Sequence, residues 1–178
     1  LRHSLELVEQ LHEEFTAAMC HQEIGVCLVA QGNINGADHH YVQALRTWES
    51  LGNANNLANT LNSFGVSLYS TGRYEEALQQ LKNSLDIAIQ IRSMRRAAFA
   101  QAGIADVHLE LAEYESAYRG YEQSTEFARA ASVKSLEIYN LVKTGEGRFR
   151  QGDMALARQL AIQARDISAE AGLDFEKG

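Results

Sequence analysis

Ala37, Ala77, Ala117 and Ala157 stand 40 residues apart, and two further columns of small residues keep the same frame. Gly25, Gly65 and Gly145 share one register with Ala105 in the remaining place, and Gly32, Gly72 and Gly152 share another with Ala112. Three columns in register over four copies mark an array of similar supersecondary units. Such units bury their apolar faces only by stacking on one another. The stretch YSTGRYEEALQQL, residues 69–81, belongs to this frame. Its Arg73-Tyr74-Glu75-Glu76 run has no counterpart in QGNINGADHH, LAEYESAYRG or QGDMALARQL. It therefore reads as a turn and not as a reactive loop.

The spacing inside a unit is helical. Leu57, Leu61, Phe64 and Leu68 follow the three-and-four rule; Gly72 interrupts, and Ala77, Leu78, Leu81, Leu85, Ala88 and Ile89 resume it. The chain contains no proline, which fits a protein built from helix interiors. Each unit is thus a helix A, a tight turn and a helix B. The pairs are expected at 17–31 with 36–51, 56–71 with 74–91, 96–111 with 114–131, and 136–151 with 154–171. Gly25 and its equivalents lie mid-helix, where glycine costs about 1 kcal/mol against alanine, so helix B of the same unit should cross closely there. Leu5 and Leu11 sit 40 before Leu45 and Leu51, which makes residues 1–16 the end of an earlier unit. The expected organisation is one domain over 1–178, with full units at 17–56, 57–96, 97–136 and 137–178. A start at Leu1 without methionine suggests a piece of a longer protein.

The net charge is −7, with no Lys/Arg-rich block, so direct nucleic-acid binding is not expected. The longest uncharged stretch, Leu51 to Gly72, carries five asparagines and does not read as a membrane span. Cys20 and Cys27 lie seven apart, about two helical turns, too far for a disulfide. A reducing, cytoplasmic location follows as the expectation.

The repeat resembles the tetratricopeptide repeat (TPR). Leu61, Phe64, Gly65, Leu68, Ala77, Leu81 and Ser84 fall where that pattern places large, large, small, large, small, large and small residues. Ile24, Gly25, Leu28, Ala37, Tyr41 and Ala44 match in the first unit. His108 and Arg148 depart from the pattern at a normally apolar place, Ala161 replaces a large residue, and the usual terminal proline is missing. The 40-residue period exceeds the common 34; it is shared by HEAT, armadillo and WD40 units, which lack this paired glycine and alanine grammar or its helical periodicity. The alanine-rich character is most similar to the TPR domains of MalT and LuxR-type bacterial regulators. The resemblance implies an all-α, right-handed α-solenoid of about four repeats plus a partial one.

It also implies a concave groove lined by helix A side chains. The inward set would be Met19, Gln22, Val26 and Val29; Asn59, Asn62, Val66 and Tyr69; Phe99, Ala102, Asp106 and Leu109; and Tyr139, Val142, Glu146 and Phe149. Asn59, Asn62, Val66, Tyr69, Phe99, Asp106, Tyr139, Glu146 and Phe149 are the candidate binding residues, because amides bond a peptide backbone and aromatic rings pack its side chains. With no Lys or Arg in this set, Asp106 and Glu146 would repel a carboxylate, so a neutral or basic peptide or protein segment is the expected partner.

No catalytic or cofactor motif stands against this. His12-Glu13-Glu14 lacks a second histidine, Cys20-His21 with Cys27 lacks zinc-finger spacing, and His39-His40 opens a helix B. Gly145-Glu146-Gly147 lies inside a helical frame and is no phosphate loop. His108 reads as an interior histidine and Arg92, Arg95 and Arg96 as a solvated loop between helices. The expectation is a non-catalytic interaction module, without cofactor or metal; the alternative is an effector-sensing domain of a bacterial transcriptional regulator or signalling ATPase.

Overall fold

The computed structural model describes residues 13–172. The partial repeat expected over 1–16, with Leu5 and Leu11, and His12 of the His-Glu-Glu run fall largely outside them. Eight helices follow one another: α1 Glu14–Ala30, α2 Ile34–Ser50, α3 Ala54–Ser70, α4 Tyr74–Gln90, α5 Met94–Glu110, α6 Tyr114–Ala130, α7 Lys134–Arg150 and α8 Met154–Glu170. Each has 17 residues. The described residues contain no strand. Every helix A begins two or three residues earlier than its apolar pattern suggests.

The 40-residue period is two equal halves, because the turn within a repeat and the turn between repeats have the same geometry. Gly72 donates its N–H to the Tyr69 carbonyl and Arg73 to the Leu68 carbonyl, the paired bonds of a Schellman cap. The same pair closes α1 at Gly32 and Asn33, α2 at Gly52 and Asn53, and α5 at Ala112 and Glu113. This cap requires a left-handed residue, with φ between 62° and 85° at five glycines. Arg92, Ala112 and Ser132 adopt it at 55–57° without being glycine. A left-handed L-residue costs about 1–2 kcal/mol, partly offset against glycine by the latter's larger unfolded-state entropy. Ala112→Gly is therefore expected to stabilise the fold by about 1 kcal/mol. Its thermal midpoint should rise by about 2–4 °C; a lower midpoint would contradict the cap.

The chain divides into two compact halves between Ile91 and Arg92. In the N-terminal half α1 packs on α2 and α3 on α4, with α2 against α3 joining the repeats; α5 to α8 repeat this order in the C-terminal half. The mid-helix glycines mark the crossings. A Cβ on Gly65 would stand 2.6 Å from Leu81 Cγ and 3.3 Å from the Ala77 carbonyl oxygen, and one on Gly25 would stand 3.0 Å from the Tyr41 ring. At Gly145, whose partner position holds Ala161, the nearest atom is 3.5 Å away. Beneath these crossings Ser84 donates to the Ala58 carbonyl at 2.7 Å and Ser124 to the Ala98 carbonyl at 2.9 Å. These equivalent bonds satisfy buried hydroxyls in successive repeats.

Within each half the A helices are neighbours: α1 approaches α3 and α5 approaches α7, whereas α2 and α4, or α6 and α8, make no such close approach. Each half therefore has a closed A side and an open B side. Arg73 illustrates the second. It forks onto Glu76 and reaches across to Asp38 on α2, so a long side chain spans what the two B-helix backbones leave apart. The Arg-Tyr-Glu-Glu run is the start of a helix and a strut between repeats.

Candidate functional site

In the C-terminal half, α5 and α7 bring Phe99, Asp106, Tyr139, Glu146 and Phe149 to one side. Asp106 is the hub. Its Oδ1 accepts from the Tyr121 hydroxyl at 2.7 Å and its Oδ2 from the Tyr139 hydroxyl at 2.8 Å, tying together α5, α6 and α7. Burial pushes its carboxyl above the ordinary range despite the lowering effect of both tyrosine bonds. Alongside, Lys143 donates to Glu146 Oε2 at 2.9 Å, and Arg150 bonds both Glu146 Oε1 and, at 3.0 Å, Glu110 Oε1. Burial works against the Glu146 carboxylate, but the hydrogen bonds and charges of Lys143 and Arg150 outweigh it and hold its pKa low.

This network alters the electrostatics expected from sequence. Lys143 and Arg150 are one helical position from the inward set, yet their long side chains fold onto Glu146; with Asp106 held by its two tyrosines, both carboxylates are engaged acceptors and not bare charges. Repulsion of a carboxylate does not follow from them. The apolar members are open to a ligand: Phe99 and Tyr139 are 38% exposed, Val142 50% and Phe149 58%. Arg95 lies over the Phe99 ring at 5.6 Å and Lys143 over the Tyr139 ring at 6.0 Å. Ala102 and Leu109, also expected to face inward, are buried at 3% and 1%. Residues 100–105 of α5 are buried without interruption, since alanine and glycine let neighbours close on every face of this helix.

In the N-terminal half Met19, Val26 and Val66 are exposed, and Asn59, Asn62 and Tyr69 are half-buried. The Asn62 Oδ1 is buried without a hydrogen-bond partner, and the Tyr69 ring lies 6.1 Å from that of Tyr74. Gln22 is not a free lining residue: its carbonyl accepts from Thr60, which in turn accepts from Trp48 Nε1 at 3.0 Å.

A family model for the tetratricopeptide repeat matches residues 15–90 and again 56–130, together well over half of the chain. The chain belongs to the tetratricopeptide repeat family. Its fold is the all-α helical-repeat solenoid, and solved structures agree. It is similar to a signal-transduction ATPase with numerous domains and a tetratricopeptide repeat sensor from Pyrococcus horikoshii, at 16% identity and a TM-score of 0.76 over 88% of this chain and 24% of that one. Aspartyl phosphate phosphatase F from Bacillus subtilis matches at 12% identity and a TM-score of 0.80, over 89% of this chain and 41% of the other. A putative kinesin light chain with nearly identical TPR-like repeats from Podosopora anserina matches at 15% and 0.69, over 96% and 88%. The chain thus spans less than half the length of the first two. No curated protein matches it in sequence.

The TPR frame explains the departures. Arg148, at a normally apolar position, lays its guanidinium over the Tyr118 ring at 4.0 Å, so its charge is accommodated by a ring face. His108 sits at the end of α5 and pairs with Glu113 across the turn at 2.6 Å; it is not an interior histidine. Cys20 is buried, Cys27 exposed, and both are free thiols. His21 and His40, 19 residues apart, meet across α1 and α2 with 2.7 Å between their Nδ1 atoms. No motif spacing predicts this pair, because it joins two different columns of the repeat. Among the described residues no three His, Cys, Asp or Glu side chains are arranged to hold a metal ion, and no helix is long and apolar enough to cross a membrane.

Proposed function

We propose that this TPR protein binds an extended or helical segment of another protein on the A-helix side of its repeats. The observation carrying the reading is the row of exposed Phe99, Tyr139, Val142 and Phe149 beside a floor fixed by Asp106 and its two tyrosines. Exposed rings over a rigid polar base suit a segment whose side chains pack on aromatic faces. The module would serve as the interaction or sensor part of a larger cytoplasmic protein and would carry out no chemistry itself. Because Lys143 and Arg150 occupy the Glu146 oxygens, and Tyr121 and Tyr139 those of Asp106, the favoured ligand is defined by apolar anchors more than by charge.

Peptides selected on the wild-type protein from a display library provide the test. Phe99→Ala and Tyr139→Ala should each weaken their binding by about tenfold, as for the loss of an interface anchor worth 1–2 kcal/mol. Helicity by circular dichroism should be unchanged for Phe99→Ala. Equal affinities in wild type and both variants would remove the assignment.

A further inference from the structure

Charge on the two A helices of the C-terminal half is balanced everywhere except at the start of α5. All four carboxylates of α5 and α7 have donors: Asp106 has Tyr121 and Tyr139, Glu110 has Arg150, Glu137 has Arg129, and Glu146 has Lys143 and Arg150. Among the cations of these helices, Lys134, Lys143 and Arg150 are committed to those carboxylates, and Arg148 turns to the Tyr118 ring on α6. Arg95 is exposed and pairs with no carboxylate among the described residues.

The surroundings of Arg95 reinforce the excess. The sequence has no Asp or Glu between Asp86 and Asp106, yet it places Arg92, Arg95 and Arg96 there. Burial and the Arg95 charge both lower the pKa of the Arg96 guanidinium, the mark of two cations set side by side. The repeat frame does not call for a cation at this place, since the equivalents of Arg95 are Phe15, Asn55 and Ser135. What Arg95 does touch is the surface itself. Its guanidinium carbon lies 5.6 Å from the centre of the Phe99 ring, within cation–π range, and Phe99 is 38% exposed. The ring thus holds a planar fork of N–H donors beside an open apolar anchor.

We propose that the segment bound on this side carries an aspartate or glutamate beside the residue that packs on Phe99, and that Arg95 receives its carboxylate. This rests on the reading that a protein segment binds the A-helix side through Phe99, and it adds the sign of the charge at one edge. A guanidinium already held against a ring loses little freedom on meeting a carboxylate, and a bidentate, charge-assisted contact is the strong kind. The neutral or basic partner expected from Asp106 and Glu146 gives way to an acidic one, because those two carboxylates are answered within the chain and Arg95 is not.

Peptides recovered from a random display library on the wild-type protein test it. They should be enriched in Asp or Glu beside an aromatic or aliphatic residue. A synthetic peptide of that kind should bind Arg95→Gln about tenfold more weakly than wild type. Changing its acidic residue to the matching amide should lose as much in wild type and nothing further in Arg95→Gln. Arg95→Lys keeps the charge without the fork and should fall between the two. Phe99→Ala should weaken the acidic peptide and its amide counterpart alike, which separates the anchor from the charge. The proposal is overturned if Phe99-dependent peptides show no acidic enrichment or are rich in Lys and Arg, or if Arg95→Gln binds the acidic peptide like wild type; the binding surface then still stands. If no recovered peptide depends on Phe99, the surface falls and the role of Arg95 falls with it.

Discussion

Trp48→Ala is expected to lower unfolding stability by about 3–5 kcal/mol, the cost of emptying a large aromatic site in a packed core. Trp48 is 1% exposed and lies among Ala18 and Ala44, with Leu57 of the next repeat against it. The Phe15 ring meets it edge-on at 4.9 Å. The indole N–H donates to Thr60 on α3, so truncation removes both the volume and a polar link between two repeats. The equivalent positions are Ala88, Ala128 and Ser168, so of the four only this one carries a large side chain. Trp48→Phe keeps a ring and loses the donor, and should cost about 1–3 kcal/mol. Trp48 is the only tryptophan, so unfolding must be followed by circular dichroism in urea. A loss below about 1 kcal/mol for the alanine variant would mean that the repeats are not joined through this side chain.

What the sequence makes legible is the crossing geometry. Small residues recur every 40 positions because two backbones approach at Gly65 and Ala77 and their equivalents, and that constraint leaves a periodic trace. Helix starts were less legible. The caps at Arg92 and Ser132 use left-handed residues that are not glycine, so the turns between repeats carry no uniform letter. The first residues of the A helices, Glu14-Phe15, Ala54-Asn55, Met94-Arg95 and Lys134-Ser135, also share no common apolar position and so add nothing to the repeat's period. The candidate site was legible as a face but not as a network. Asp106 is held by Tyr121 and Tyr139, from two other helices, and Lys143 and Arg150 reach the surface through side-chain length and not through register.

The third repeat yields the most discriminating stability test, because it solves the close crossing differently from its neighbours. Where the others place glycine on helix A, it has Ala105, and the space is returned on helix B by Gly120. A Cβ on Gly120 would lie 2.8 Å from Ala105 Cβ and 3.3 Å from its Cα. Gly120→Ala therefore forces one methyl against another in a site with no exposed exit, an overpacking cost of about 1–3 kcal/mol. Alanine's better helix propensity returns about 1 kcal/mol of this. A net loss of about 1–2 kcal/mol is expected. Adding Ala105→Gly recreates the arrangement of the other repeats, with glycine on helix A and a larger residue on helix B. The double variant should be more stable than the sum of the two single changes predicts, by a coupling of about 1–2 kcal/mol. Strict additivity in the cycle would show that Ala105 and Gly120 do not compete for the same volume, and the small-residue columns would then need a cause other than helix approach.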